Sequence, residues 1–263
     1  MTKIKAIFIY SDHPSKSLSI SEIVNSLRDY GLCVYDRGNL VESLNLCKED
    51  SFELATSIAG IKVQDISTPL DALPEADHRE ANKELQRLTG KTSDRGVLYD
   101  GLWLQRKLYK IIAQKFIDEF QSGFIHMVFT SMLFGTFEAK RYHARVILAG
   151  LPSLISTSGI VEAPARPKDY YWLKAGFLKN GKDIRELDML YSDKFIEYDD
   201  ERISQVLKSY ALQAVFYELT GNAFCDNPDC CLFNSHWQDD VLRAQLKGKL
   251  CLEHRNLFDS RKD

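Results

Sequence analysis

The last forty residues hold four of the chain's six cysteines, at Cys225, Cys230, Cys231 and Cys251, with His254 three positions beyond the last. Cys225-x4-Cys230 and Cys251-x2-His254 are two short-spaced pairs joined by a twenty-residue loop. Zinc takes four soft or borderline ligands at roughly 2.0–2.3 Å, and a pair separated by a few residues reaches one ion from a single turn. Asn227-Pro228-Asp229 supplies that turn, because proline fixes φ and the flanking Asn and Asp tolerate tight geometry. The expected ligands are therefore Cys225, Cys230, Cys251 and His254. Cys230 keeps the Cys-x4-Cys register better than Cys231, and His254 completes a pair that His236 does not. A shell filled by three cysteines and a histidine has no open position, so it reads as one structural zinc.

Other polar groups are spaced for chemistry. Arg141, His143 and Arg145 alternate in a strand-like run, which puts all three on one face, where guanidiniums and an imidazole suit a carboxylate or phosphate. The same row fits a solvated sheet face with local ion pairs, and that plainer reading is preferred unless Glu162 or Arg166 lies beside it. Ser156-Thr157-Ser158-Gly159 offers hydroxyls and a permissive glycine, yet reads first as a turn or strand end. Cys33 and Cys47 stand alone and are expected to be small buried hydrophobes.

The elements that must position these groups alternate in type. Residues 4–10 form an apolar run followed by Ser11-Asp12-His13-Pro14, which predicts a buried strand and a turn. Helical spacing over 21–30, a second apolar run at 32–35, helical spacing over 40–58 and a strand at 61–66 extend a β-α pattern. Residues 67–96 are charged, contain Pro69 and Pro74, and read as a surface excursion with a helical patch at 80–88. A helix over 102–120 and strands over 124–130, 142–148 and 153–161 follow. A short helix is expected over 169–178. A longer one over 201–220, capped by Asp199-Asp200 and stopped by Gly221-Asn222, is apolar around most of its girth and should be buried.

At 263 residues, with 44% hydrophobic and 27% charged, the chain has ordinary globular composition. A net charge of −3 gives no reason to expect nucleic acid or a membrane as partner. The first residues run straight into a strand pattern, no apolar stretch approaches a bilayer span, and a cytoplasmic location is expected. Reduced cysteines fit that compartment.

A mixed α/β body, a buried helix and then these cysteine spacings resemble the archaemetzincins. In that family a helix bearing H-E-x-x-H-x-x-G-x-x-H runs into the first cysteine of a second zinc site. Over most of the chain the sequence is similar to a related, largely archaeal metallopeptidase family. That likeness rests on Phe134-Gly135-Thr136, Arg141-Tyr142-His143-Ala144-Arg145, residues 156–164 and residues 219–245. The resemblance implies a metzincin-like mixed sheet with flanking helices (1–221) and a zinc-binding lobe packed on it (222–263). Placed on the peptidase motif, Tyr217 and Gly221 stand where two zinc histidines belong, Phe224 where the third belongs, and Glu218 is left as the candidate base. The expectation is a relative with a degenerate catalytic site that binds a peptide or small anion in the old cleft. The alternatives are an active, unconventional metallopeptidase whose rebuilt metal site joins His126 and His143 to Glu218, and a zinc lobe that serves as a nucleic-acid or protein interaction module or forms a subunit contact through Leu232, Phe233 and Trp237.

Overall fold

The computed structural model describes residues 3–12, 17–71, 77–92 and 95–260. The turn expected at His13-Pro14, and Pro74, lie outside these. The strands are β1 (Ala6–Ser11), β2 (Val34–Asn39), β3 (Leu98–Asp100), β4 (Phe124–Thr130), β5 (Leu133–Glu138), β6 (Arg141–Arg145), β7 (Ile147–Leu148) and β8 (Ser153–Ser156). The helices are α1 (Ile20–Asp29), α2 (Leu40–Leu44), α3 (Lys48–Ala59), α4 (His78–Leu88), α5 (Gly101–Lys115), α6 (Thr157–Glu162), α7 (Lys168–Lys179), α8 (Ile184–Leu190), α9 (Ile203–Thr220), α10 (Gln238–Asp240) and α11 (Leu252–Asp259).

A five-stranded sheet of order β2-β1-β4-β8-β7 is parallel except for the edge strand β7. A second sheet, β3-β5-β6, stands beside it. Because side chains alternate along a strand, β1 sends Ile7 and Ile9 to one face and Ala6, Phe8 and Tyr10 to the other. Its partner β4 divides likewise, with Ile125, Met127 and Phe129 opposite Val128. Both faces are covered, as a parallel sheet requires. Helices α1 and α9 pack on the first face, and α2, α3 and α5 contribute to the second.

Helix α9 is buried nearly all round because it lies between the sheet and the C-terminal segment. Cys230, Cys231, Leu232, Val241, Leu250 and Phe258 join the same core as Val206, Val215 and Phe216. The lobe after residue 222 thus completes the main core.

Several expected elements end elsewhere. The helical run 40–58 is broken at Asn45, whose φ of 49° is left-handed, and Cys47 then caps α3 by accepting the Asp50 N–H at 3.3 Å. Cys47 and Cys33 are exposed, not buried. Residues 61–66 form no strand; Lys62 makes an isolated bridge to Tyr99, and Asp65 turns the chain by accepting the Ser67 N–H. The run 142–148 divides between two sheets as β6 and β7. The strand expected over 153–161 stops at Ser156, whose hydroxyl accepts the Gly159 N–H at 2.8 Å and starts α6. Strands β3 and β5 and helix α8 were not signalled by periodicity. At α9 the cap is Arg202 with no side-chain bond, and Asp200 grips the Arg202 guanidinium instead. The segment 67–96 is more than a surface excursion, since α4 carries Glu84 and Arg87 into the interior.

Candidate metal centre and the cleft beside it

Gly221 ends α9 in the left-handed conformation, φ 77°, with its N–H on the Tyr217 carbonyl at 2.8 Å. Four residues on, Cys225 pairs with the returning chain through its N–H to the Leu232 carbonyl at 3.0 Å. The expected tight turn is present: Asn227 accepts the Asp229 N–H through its side chain and the Cys230 N–H through its carbonyl, both at 3.0 Å. Cys251 is the N-cap of α11, which places His254 one turn into the helix, Nδ1 lying 3.0 Å from the Cys251 sulfur.

Ligand atoms of Cys225, Cys230, Cys251 and His254 all lie within 4.8 Å of one another. The Cys225 and Cys251 sulfurs are 4.0 Å apart. Tetrahedral zinc thiolates, with Zn–S near 2.3 Å, hold their sulfurs about 3.8 Å apart, so the four groups fit one such ion. Backbone N–H groups of Asn227 and Cys251 donate to the Cys225 and Cys230 sulfurs at 3.4 Å, which suits sulfur that carries negative charge. A hydrogen bond from Cys231 holds the Cys230 thiol down to about 5, while burial pushes Cys225 up to about 12. Cys231 is fully buried in the core and His236 is exposed at a separate wall, and neither joins the cluster. Among the described residues this is the one cluster of three or more potential metal ligands.

Next to the lobe, a cavity of about 380 Å³ opens between α9, residues 144–149 and the loop 233–236. Helix α9 presents Tyr210, Gln213 and Tyr217 to it, joined by Arg145, Asn222 and His236. The i, i+4 pair that faces the cleft is thus Gln213 and Tyr217, whereas Gly221 offers no side chain. Glu218 is one residue further round the helix and turns away, accepting the Gly123 N–H at 3.0 Å. Gly221 itself takes a positive φ, a conformation that favours glycine. Glu218, the candidate base, is not among the residues that line the cavity.

The other candidates disperse. Arg141, His143 and Arg145 do share a face of β6, but Arg145 is held by Glu138 at 2.6 Å and Thr136 at 2.9 Å, and Arg141 donates weakly to His143 at 3.4 Å. Neither anticipated neighbour is engaged with this row: Glu162 accepts the Tyr198 hydroxyl, and Arg166 pairs with Asp188 at 2.7 Å. Ser156, Thr157 and Ser158 spend their hydroxyls on the carbonyls of Met132, Thr130 and Ser131. His126 lies on the opposite face of β4 from α9, bonded to Tyr10 at 3.0 Å, so His126, His143 and Glu218 do not converge. Leu232 is buried and Phe233 and Trp237 are half-buried, so they form no exposed apolar contact surface.

Fold and site together define a mixed α/β protein with a Cys3His cluster at the end of a buried helix and a cleft beside it. The chain matches, over residues 3–261, the model of the Probable metallopeptidase family (DUF6775), and it belongs to that family. A zinc-dependent peptidase from Methanocorpusculum labreanum (strain Z) is similar in structure, with TM-score 0.49 and 11% identity over 97% of this chain and 100% of that one. Archaemetzincin from Methanopyrus kandleri is similar with TM-score 0.39 and 12% identity over 98% and 96%. No curated protein matches.

Proposed function

We propose that this protein is a zinc-binding, non-catalytic member of its family, which holds one structural ion on Cys225, Cys230, Cys251 and His254 and uses the neighbouring cleft to bind a peptide or small anion. The observation that carries this reading is the face α9 turns to the cleft. Gln213 and Tyr217 stand there in place of an i, i+4 histidine pair. Without a bound metal, neither an amide nor a phenol lowers the pKa of a water enough for hydrolysis at neutral pH. When bound at the Cys3His cluster, zinc supplies cross-linking of the lobe to the end of α9, and the closed shell leaves no position for substrate. Arg145, at the cavity wall, is the group suited to an anionic ligand, with Glu138 as the carboxylate to be displaced. Clustered free thiols of this kind support a cytoplasmic location.

Metal counting tests the reading. One zinc per chain, lost in Cys225→Ser and kept in Glu218→Ala, is expected. A second tightly held metal that disappears in Glu218→Ala, together with peptide hydrolysis, would establish a rebuilt active site instead.

A further inference from the structure

Helices α7 and α8 form a hairpin with its own small core of Tyr170, Leu187, Tyr191 and Phe195, supported by Phe177 and separate from the two cores that flank the sheet. Large apolar side chains are exposed on the hairpin among charged ones. Trp172 is 81% exposed and Met189 76%, and Tyr171, Leu173, Leu178 and Leu190 are exposed around them. Scattered surface apolars are ordinary, but six on one twenty-three-residue hairpin are a concentration that calls for an occupant.

The charges beside the patch say which. Asp183 is taken by Arg185 at 2.7 Å, Asp188 by Arg166 at 2.7 Å, and Asp169 accepts the Tyr191 hydroxyl at 2.7 Å. Glu186 is the hairpin's remaining carboxylate. Lys168, Lys174 and Lys182 lie only over the rings of Trp237, Tyr170 and Phe177, and among the described residues none of these lysines, nor Lys179, has a carboxylate partner. The hairpin thus carries five cations, Arg185 included, against four carboxylates, and its four lysines are cations without an ion-pair partner among the described residues, in a chain whose overall charge is −3.

We propose that the α7–α8 hairpin docks the protein on an anionic lipid surface, with Trp172, Leu178, Met189 and Leu190 entering the headgroup boundary and the lysines meeting lipid phosphates. Three features favour lipid over a protein partner. Tyr171, Trp172 and Leu173 are consecutive, so they splay over about 200° of helix circumference, too wide for the single stripe that fits a groove but suited to a continuous apolar phase. A two-fold dimer through this face would set each lysine cluster against its own copy. Aromatic rings with flanking lysines are also the residues that settle at a membrane boundary. No helix among the described residues is long and apolar enough to cross a membrane, so the contact is peripheral.

Flotation of the full-length protein with vesicles tests this. Binding is expected to phosphatidylcholine vesicles carrying about 30% phosphatidylglycerol and to fade as salt rises, with little binding to phosphatidylcholine alone. Lys174→Gln/Lys179→Gln/Lys182→Gln should bind roughly a hundredfold more weakly and Trp172→Ser at least tenfold, with melting curves unchanged because these side chains are not in the core. Absence of binding, equal binding to both vesicle types, binding indifferent to either variant, or a concentration-dependent dimer dissolved by Trp172→Ser would each overturn the proposal.

Discussion

The Glu218 carboxylate accepts the backbone N–H of Gly123 at 3.0 Å, across 95 residues of sequence. That bond ties the last turn of α9 to the start of β4 and engages the helix's only acidic side chain. Glu218 is therefore a positioning residue between helix and sheet. Glu218→Gln keeps an acceptor there and should change stability by less than about 1 kcal/mol, while Glu218→Ala leaves a half-buried N–H unpaired at a cost of about 1–3 kcal/mol. Urea unfolding distinguishes the two. Equal losses in both variants would show that the carboxylate's charge, not its acceptor, matters.

Zinc at the Cys3His cluster should be inseparable from the stability of the main core. His254 sets its ring edge against Phe216 of α9 at 4.9 Å, and Phe258, one turn further along α11, packs on the same ring at 5.0 Å. Losing the ion frees α11 and uncovers α9. Cys225→Ser is expected to release the metal and lower the melting temperature by roughly 10 °C or more, the size of a lost structural zinc in a chain of this length. Cys231→Ser should retain a full equivalent of metal, since that sulfur faces the core. Zinc content that falls equally in both would shift the ligand assignment to include Cys231.

A charged network crosses the interior on the other side of the sheet. Arg87 bonds Asp12 at 3.1 Å and Glu84 at 2.8 Å, Tyr99 and Lys62 each reach Glu84 at 2.8 Å, and Asp12 is also held by Thr130 and the Ser131 N–H. Arg87, Asp12 and Glu84 are all buried. Removing the central cation strands two carboxylates, so Arg87→Ala should cost about 3–5 kcal/mol. Lys83→Ala breaks an exposed pair with Glu80 and should cost less than about 1 kcal/mol. Thermal melts in which the two variants fall together would mean that the buried network is not stabilising.

What the sequence disclosed and what it hid follow from the distance over which each signal acts. The Cys3His cluster was legible because each pair closes within one turn, and α9 because its apolar residues fill most of a helical circumference. Arg87 was not, since its partner Asp12 lies 75 residues away and hydropathy alone assigns a charged helix such as α4 to the surface. The break at Asn45 and the early end of β8 depended on single polar caps that a periodic pattern overlooks. In the cleft, the resemblance pointed to Tyr217 and Gly221, whereas the helix turns Gln213 and Tyr217 inward.

Acid should weaken the fold through His126. Arg37 donates to the Tyr10 hydroxyl at 2.8 Å, so that hydroxyl directs its own proton to His126 Nδ1, and the neutral ring carries its proton on Nε2. Phe120 stacks on the ring at 4.5 Å, Nε2 has no hydrogen-bond partner, and the nearest carboxylate oxygen, on Glu119, is 3.9 Å away. Burial, reinforced by the Arg37 charge, holds His126 down to about 4 from its ordinary 6.5. An unfolded chain takes up this proton as pH falls through 6.5, and the folded chain refuses it until near 4. Stability from this group is therefore complete above 6.5 and drains away between 6.5 and 4, by about 3 kcal/mol at the lower end. His126→Phe keeps the aromatic stack and has nothing to protonate, so the fall in its urea midpoint between about pH 7 and about pH 4.5 should be shallower than the wild type's. Parallel losses in the two proteins across that interval would assign acid sensitivity to the carboxylates instead.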